Sequence, residues 1–210
     1  MQKPFELFRI SVAAGVAIGL AGFAYLAVGG LAGAVLFAFG LLTIIGYHLK
    51  LYTSRAGFIH RNEFPELGFI LVSNMLGCLL VALLTRASAL PIAEAAQHII
   101  ESRLDNGILN CGFLSIGCGV IMTVVVTFGY RGNFLPLLFG VPLFILCKFP
   151  HCMADTFYIF TCPTEFLIEN AGQIALYLPT IIVGNFVGCN LPRLFPKPFV
   201  PMAKVTDGEK

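Results

Sequence analysis

Residues 143–155, LFILCKFPHCMAD, place Lys148, Pro150, His151 and Asp155 within eight positions of an otherwise apolar stretch. An imidazole, with an unperturbed pKa of about 6.5, exchanges protons near neutrality. A lysine adds a fixed positive charge, and a carboxylate seven residues on can be its counter-ion. Proline removes a backbone donor and breaks a helix. Such a set can draw in a small anion and hand it a proton. A charged side chain at bilayer depth costs roughly 2.5–3.5 kcal/mol or more. Lys148 must therefore face a wet path, pair with an acid such as Asp155, or snorkel to the interface.

The elements that position these groups are apolar spans. Of the 210 residues, 58% are hydrophobic and 11% charged, with mean hydropathy +0.88. Soluble domains carry about 25% charged residues, so this chain has lipid as its solvent. Spans of roughly 20 residues are expected near 9–28, 31–53, 67–86, 106–128, 134–160 and 173–191. The first could be mistaken for a signal peptide. Its apolar run from Ile10 to Val28 exceeds a signal core, and further spans follow at once. Residues 91–103 read as a short surface helix, and 192–210 as a Pro-rich, mostly disordered cytoplasmic tail. Six spans put both ends on one side. That side carries Lys3, Arg9, Arg55, Arg61, Arg131, Arg193, Lys197, Lys204 and Lys210, against Arg86 and Arg103 opposite. The asymmetry predicts cytoplasmic termini in a cell membrane. Lys50 and Lys148 fall within spans, Lys50 snorkelling or lying at the cytoplasmic edge. Seven cysteines show no CxxC and no paired Cys/His pattern, so neither a metal nor another cofactor is expected. The net charge of +2, without a basic cluster, excludes nucleic acid as a partner.

An internal repeat underlies the spans. KLYT at 50–53 aligns with KFPH at 148–151, and NMLGC at 74–78 with NFVGC at 185–189. Gly15 and Gly22 align with Gly112 and Gly119, and FG precedes both breaks at 39–40 and 139–140. This register pairs Thr53 with His151 and Tyr52 with Pro150. Three spans per repeat make the second half enter from the opposite face, giving an inverted 3+3 arrangement. The chain is thus expected to be one all-α, multi-pass membrane domain over 1–191, with repeats at about 9–86 and 106–191. Its second and fifth helices break near the midplane, aiming helix N-termini at a shared anion site.

The stretches GLAGAVLFAFGLLTIIGYHLKLYTS, GILNCGFLSIGCG, FPHCMAD and LPTIIVGNFVGC resemble the formate/nitrite transporter family over nearly the whole chain. The resemblance implies aquaporin-like protomers of six spans, assembled as homopentamers, each passing small monovalent anions such as formate, nitrite or hydrosulfide. It implies that His151 is the central histidine, Thr53 the loop threonine, and Phe37, Leu41, Leu51, Tyr52 and Phe144 the apolar constrictions. The chain departs from the family wording at Pro150 and Lys50, which replace acids, and at Asp155, which replaces asparagine. The asparagine of the GILxN motif is taken by either Asn110 or Cys111.

These readings combine into one expected mechanism. An anion meets an apolar ring of Phe37 and Phe144, which it cannot cheaply cross while charged. Helix ends and Lys148 lower its energy, His151 donates a proton, and Thr53 orients the solute. Leu41, Leu51 and Tyr52 form a second ring. The alternatives are an aquaporin-like channel for small neutral solutes and a non-transporting structural or sensory protein. An intramembrane enzyme using His151, Cys152 or Asp155 would need a motif such as HExxH or GxSxG, and neither occurs.

Overall fold

The computed structural model describes residues 4–195. Ten α-helices follow one another: α1 Pro4–Val28, α2 Gly30–Gly46, α3 Tyr52–Ala56, α4 Phe64–Thr85, α5 Ile92–Asn106, α6 Ile108–Tyr130, α7 Leu135–Leu146, α8 Cys152–Thr161, α9 Thr164–Glu169 and α10 Ala171–Asn190. Four of them, α1, α4, α6 and α10, are long and apolar enough to cross a membrane, and α2 and α7 are shorter apolar helices. At 1.5 Å per residue the 17 residues of α2 rise about 26 Å and the 12 of α7 about 18 Å. Neither reaches across roughly 30 Å of hydrocarbon alone. Each is continued by a further helix after a break, α3 after residues 47–51 and α8 after residues 147–151.

Both breaks begin the same way. The amides of His48 and Leu49 donate to the carbonyls of Ile45 and Ile44 at 3.2 and 2.8 Å. Those of Lys148 and Phe149 donate to Ile145 and Phe144 at 3.0 and 2.8 Å. This double bond closes a helix through one left-handed residue, usually glycine. Here the left-handed residues are His48 (φ 52°) and Lys148 (φ 56°). A side chain in that region costs roughly 1–2 kcal/mol, so the surroundings must hold the break in place.

Asn74 and Asn185 do so. Asn74 Oδ1 accepts the leading amide of α3, Tyr52 N–H, at 2.8 Å, and its Nδ2 donates to the carbonyls of Ser11 and Lys50 at 2.7 and 2.9 Å. Asn185 repeats the pattern on Cys152 N–H at 2.8 Å and on the carbonyls of Ser115 and Pro150 at 2.8 and 3.0 Å. Both asparagines are fully buried. Cysteines four residues on tie each half-helix across the repeat. Cys78 Sγ donates to Met153 O at 3.5 Å and Cys189 Sγ to Thr53 O at 3.4 Å.

Such short reach requires helices in backbone contact. A Cβ on Gly15 would lie 2.1 Å from Asn74 O, and one on Gly119 2.3 Å from Asn185 O. Gly77 meets Val12 O and Gly188 meets Ile116 O in the same manner, at 2.2 and 2.0 Å. Small residues thus let α1 pack on α4 and α6 on α10, as lipid-embedded helices require.

These bonds correct the repeat register. Asn74 and Asn185 align as expected, but the breaks superpose at an offset of 100 residues, not 98. Lys50 pairs with Pro150, Leu51 with His151 and Tyr52 with Cys152. Ser11 pairs with Ser115, so Gly15 matches Gly119 rather than Gly112. The two FG pairs, also 100 apart, fall in register. Lys50 is buried, and its amide reaches Ile10 O at 3.4 Å. The fifth span is two helices with an extended gap, and the polar segment after it folds into α9. The start of the expected disordered tail is ordered: Leu191–Leu194 is a 3-10 turn, and Arg193 donates to the carbonyls of Gly57 and Ile59 at 2.9 and 2.8 Å. The rest of the tail and residues 1–3 lie outside the described residues.

Replacing Asn185 by alanine leaves one buried amide and two buried carbonyls without that partner. Each lost partner costs about 1–3 kcal/mol. Thermal unfolding in detergent should fall by several degrees, and more than for alanine at the exposed Asn110.

Candidate functional site

The two breaks meet at His151. Its ring caps α8, with Nδ1 accepting Ala154 N–H at 3.2 Å. An Nδ1 that accepts is unprotonated, so in the neutral ring Nε2 carries the proton. Nε2 lies 3.0 Å from Thr53 Oγ1 in α3, so it donates there. The Thr53 hydroxyl proton is then left to point elsewhere. Both residues are buried.

Aromatic rings extend this contact into a column. Phe144 packs on the His151 ring with centroids 5.5 Å apart, and Phe37 meets Phe144 edge-on at 6.0 Å. Phe37, from α2, and Phe144, from α7, therefore form the expected pair beside the histidine. Leu41 and Leu51 are fully buried nearby in sequence. The Tyr52 hydroxyl turns to α10, donating to Ile182 O at 3.3 Å.

On one side of the column opens a cavity of about 180 Å³. Tyr25, His98, Ser102, Arg103, Phe144, Lys148, His151, Asp155 and Tyr158 are among its walls. Lys148 is exposed at its margin, and its Nζ stands 3.4 Å from Ser102 Oγ. It does not pair with Asp155. That buried carboxylate instead has Arg103 Nε at 3.7 Å and accepts the Tyr177 hydroxyl at 2.5 Å. Arg103 also donates to the carbonyl of Lys148, clamping the left-handed residue of the second break. Burial works against the Arg103 charge, yet the Asp155 carboxylate beside it holds its pKa above the usual guanidinium value.

Arg103, Ser102 and His98 were legible only as parts of a surface helix. They sit at positions i, i+4 and i+5 from His98, on one side of α5, while Ile92, Ala96 and Ile100 form its buried stripe. That spacing was the available signal. Tyr177 gave none, lying in an ordinary apolar span. Asn110 is exposed, and its Nδ2 donates to Asn106 O at 2.7 Å. Cys111 is the buried neighbour, its Sγ 3.2 Å from Arg103 O. The backbone anion site expected from paired helix ends is also modified. The leading amides of α3 and α8 are taken by Asn74 and Asn185, and that of Ala154 by His151. No group of His, Cys, Asp and Glu among the described residues could hold a metal ion.

Two interrupted helices thus meet at a buried histidine within a bundle that holds four apolar helices of membrane-crossing length. The chain belongs to the formate/nitrite transporter family, whose model matches residues 1–192. Among solved structures it is similar to a pentameric formate channel with formate bound, at 19% identity and TM-score 0.72, covering 89% of this chain and 92% of that one. It is also similar to an FNT family ion channel at 17% identity and TM-score 0.78, covering 90% of this chain and 87% of that one. No curated protein matches the chain. The family and both structures are channels or transporters, not enzymes.

The hydrogen bonds make a checkable statement about the ring. In protein labelled with ¹⁵N-histidine, His151 should show a protonated Nε2 and an unprotonated Nδ1 at neutral pH. Thr53→Val should shift the Nε2 resonance and leave Nδ1 nearly in place. An imidazolium signature at neutral pH would contradict the assignment.

Proposed function

We propose that this protein carries small monovalent anions across the membrane, formate foremost, with nitrite and hydrosulfide as related cargo, and that a proton travels with the anion by way of His151. The observation that supports the reading best is the His151–Thr53 bond, which joins the two breaks inside an apolar column. A charged solute cannot cheaply enter the Phe37–Phe144 constriction, whereas its neutral acid can. Leu41, Leu51 and Tyr52 serve as the second constriction.

The cap on Nδ1 shapes the proton step. A neutral imidazole gives up its Nε2 proton only as Nδ1 receives another. A proton at Nδ1 displaces the Ala154 amide, so the doubly protonated ring is a transient. His151 therefore relays a proton: one arrives at Nδ1, one leaves Nε2 for the anion beside the Thr53 hydroxyl, and the neutral acid moves on. Lys148 and Arg103 hold the anion at the cavity until then, and Asp155 tempers their charge.

The matched pentameric structure supports a homopentamer, with the exposed apolar side chains of α6 and α10, such as Phe113 and Val183, meeting lipid or neighbouring protomers. The charge asymmetry supports a cell membrane location with cytoplasmic termini and with the α5 cavity on the outer face. A second reading, a channel for small neutral solutes, draws support from the neutral form of His151.

Proteoliposome uptake of formate, nitrite, hydrosulfide and glycerol at two pH values separates the readings. Formate uptake above that of protein-free vesicles should rise as pH falls. His151→Asn should lower it by tenfold or more, about 1.4 kcal/mol in barrier, while retaining the α8 cap because asparagine caps well. Glycerol flux with no anion flux would favour the neutral-solute channel.

A further inference from the structure

We propose that Arg103 and Asp155 form a counter-ion exchange site, in which an incoming small oxyanion takes over the guanidinium that Asp155 holds. The inference rests on the transport reading above and adds how Asp155 yields Arg103 to the anion, and takes it back, before the anion reaches His151.

The Arg103–Asp155 pair is incompletely made. Arg103 Nε lies 3.7 Å from Asp155 Oδ2, within ion-pair range but too far for a hydrogen bond. That Nε is buried and has no hydrogen-bond partner in the structure. Leaving such a donor unmet costs about 1–3 kcal/mol, a cost that a purely structural pair would remove by closing. Both partners are instead engaged elsewhere, Arg103 on the Lys148 carbonyl and Asp155 on the Tyr177 hydroxyl at 2.5 Å. Tyr177 fixes the carboxylate on the α10 side, so the guanidinium is held in place but not saturated.

The cavity is sized and charged for the missing partner. Its 180 Å³ compares with about 30 Å³ for a water molecule, room for a three-heavy-atom carboxylate and a few waters. Arg103 and Lys148 with Asp155 leave one net positive charge, which one monovalent anion neutralises. A planar guanidinium pairs with a carboxylate through two parallel bonds, a mode open to formate and nitrite but not to halide. Ser102 Oγ and Lys148 Nζ, 3.4 Å apart, supply further donors at the margin. His151 lines the same cavity, so an anion released from Arg103 is already beside the imidazole. Asp155 keeps the site from becoming a trap: it reclaims the guanidinium as the anion leaves.

The test uses the full-length protein twice, for formate uptake into proteoliposomes and for equilibrium ¹³C-formate binding in detergent. Removing the competitor with Asp155→Asn keeps an acceptor for Tyr177 and should tighten formate binding about three- to tenfold, with a parallel fall in KM; tenfold corresponds to about 1.4 kcal/mol. Arg103→Gln should weaken both by about tenfold or more. Should that variant fold poorly through loss of its clamp on residue 148, Asp155→Asn alone decides. Wild-type transport combined with unchanged or weakened binding in Asp155→Asn overturns the exchange site. Formate binding that responds to both variants, without transport of any anion by the wild type, upholds the site and overturns the transport reading instead.

Discussion

A chain that ends a helix twice in an apolar medium must find partners for the amides and carbonyls it frees. Unmet, each costs several kcal/mol in hydrocarbon. Asn74 and Asn185 answer that demand with one side chain per break, each joining three elements: the new helix, the extended gap, and the first helix of its own repeat. Their geometry leaves no space for side chains between the helices, which is why Gly15, Gly77, Gly119 and Gly188 stand at the crossings. The meeting of Thr53 with His151 depends on the same constraint. Both lie at the start of a half-helix whose leading amide an asparagine holds.

Much of this architecture could be read in the residues. The apolar helices followed from apolar length, and the NMLGC and NFVGC pair contained both of the asparagines that cap the half-helices. The breaks were visible as polar clusters, and Thr53, His151, Phe144 and Phe37, singled out by the family resemblance, lie in successive contact. The register at the breaks was not legible. Identical letters, Lys50 and Lys148, suggested an offset of 98, whereas the backbone aligns them two residues apart. Two residues past the ends of α2 and α7 the chain turns through His48 and Lys148, left-handed positions that are not glycine. Local identity and structural equivalence diverged because hydrogen bonds, not side-chain types, define the repeat.

The partner of Asp155 was hidden for a different reason. Lys148 is seven residues away in sequence and appeared the natural counter-ion. Its side chain is exposed and reaches Ser102 instead, and Arg103 enters from α5, 52 residues earlier by numbering. An amphipathic helix between two repeats reads as surface decoration until its polar face is seen to line a cavity. Sequence distance is a poor guide to charge pairing where a connecting helix folds back over a break.

The pseudo-symmetry is most informative where it fails. At matched positions the first break carries Lys50, Leu51, Tyr52 and Arg55, and the second Pro150, His151, Cys152 and Asp155. A two-fold backbone with identical side chains would present the same chemistry to both membrane faces. Here an imidazole in the second break matches a leucine in the first. A carboxylate stands where the first repeat has a guanidinium, and an arginine from outside both repeats is brought to meet it. The backbone repeat supplies two equivalent interruptions, and the side chains make them unequal. A polar approach to His151 opens on the α5 side, where the cavity lies, and from the first repeat Thr53 extends its hydroxyl to that ring. Directional geometry from a symmetric frame thus comes from a handful of unmatched side chains at the breaks together with Arg103 brought in from α5.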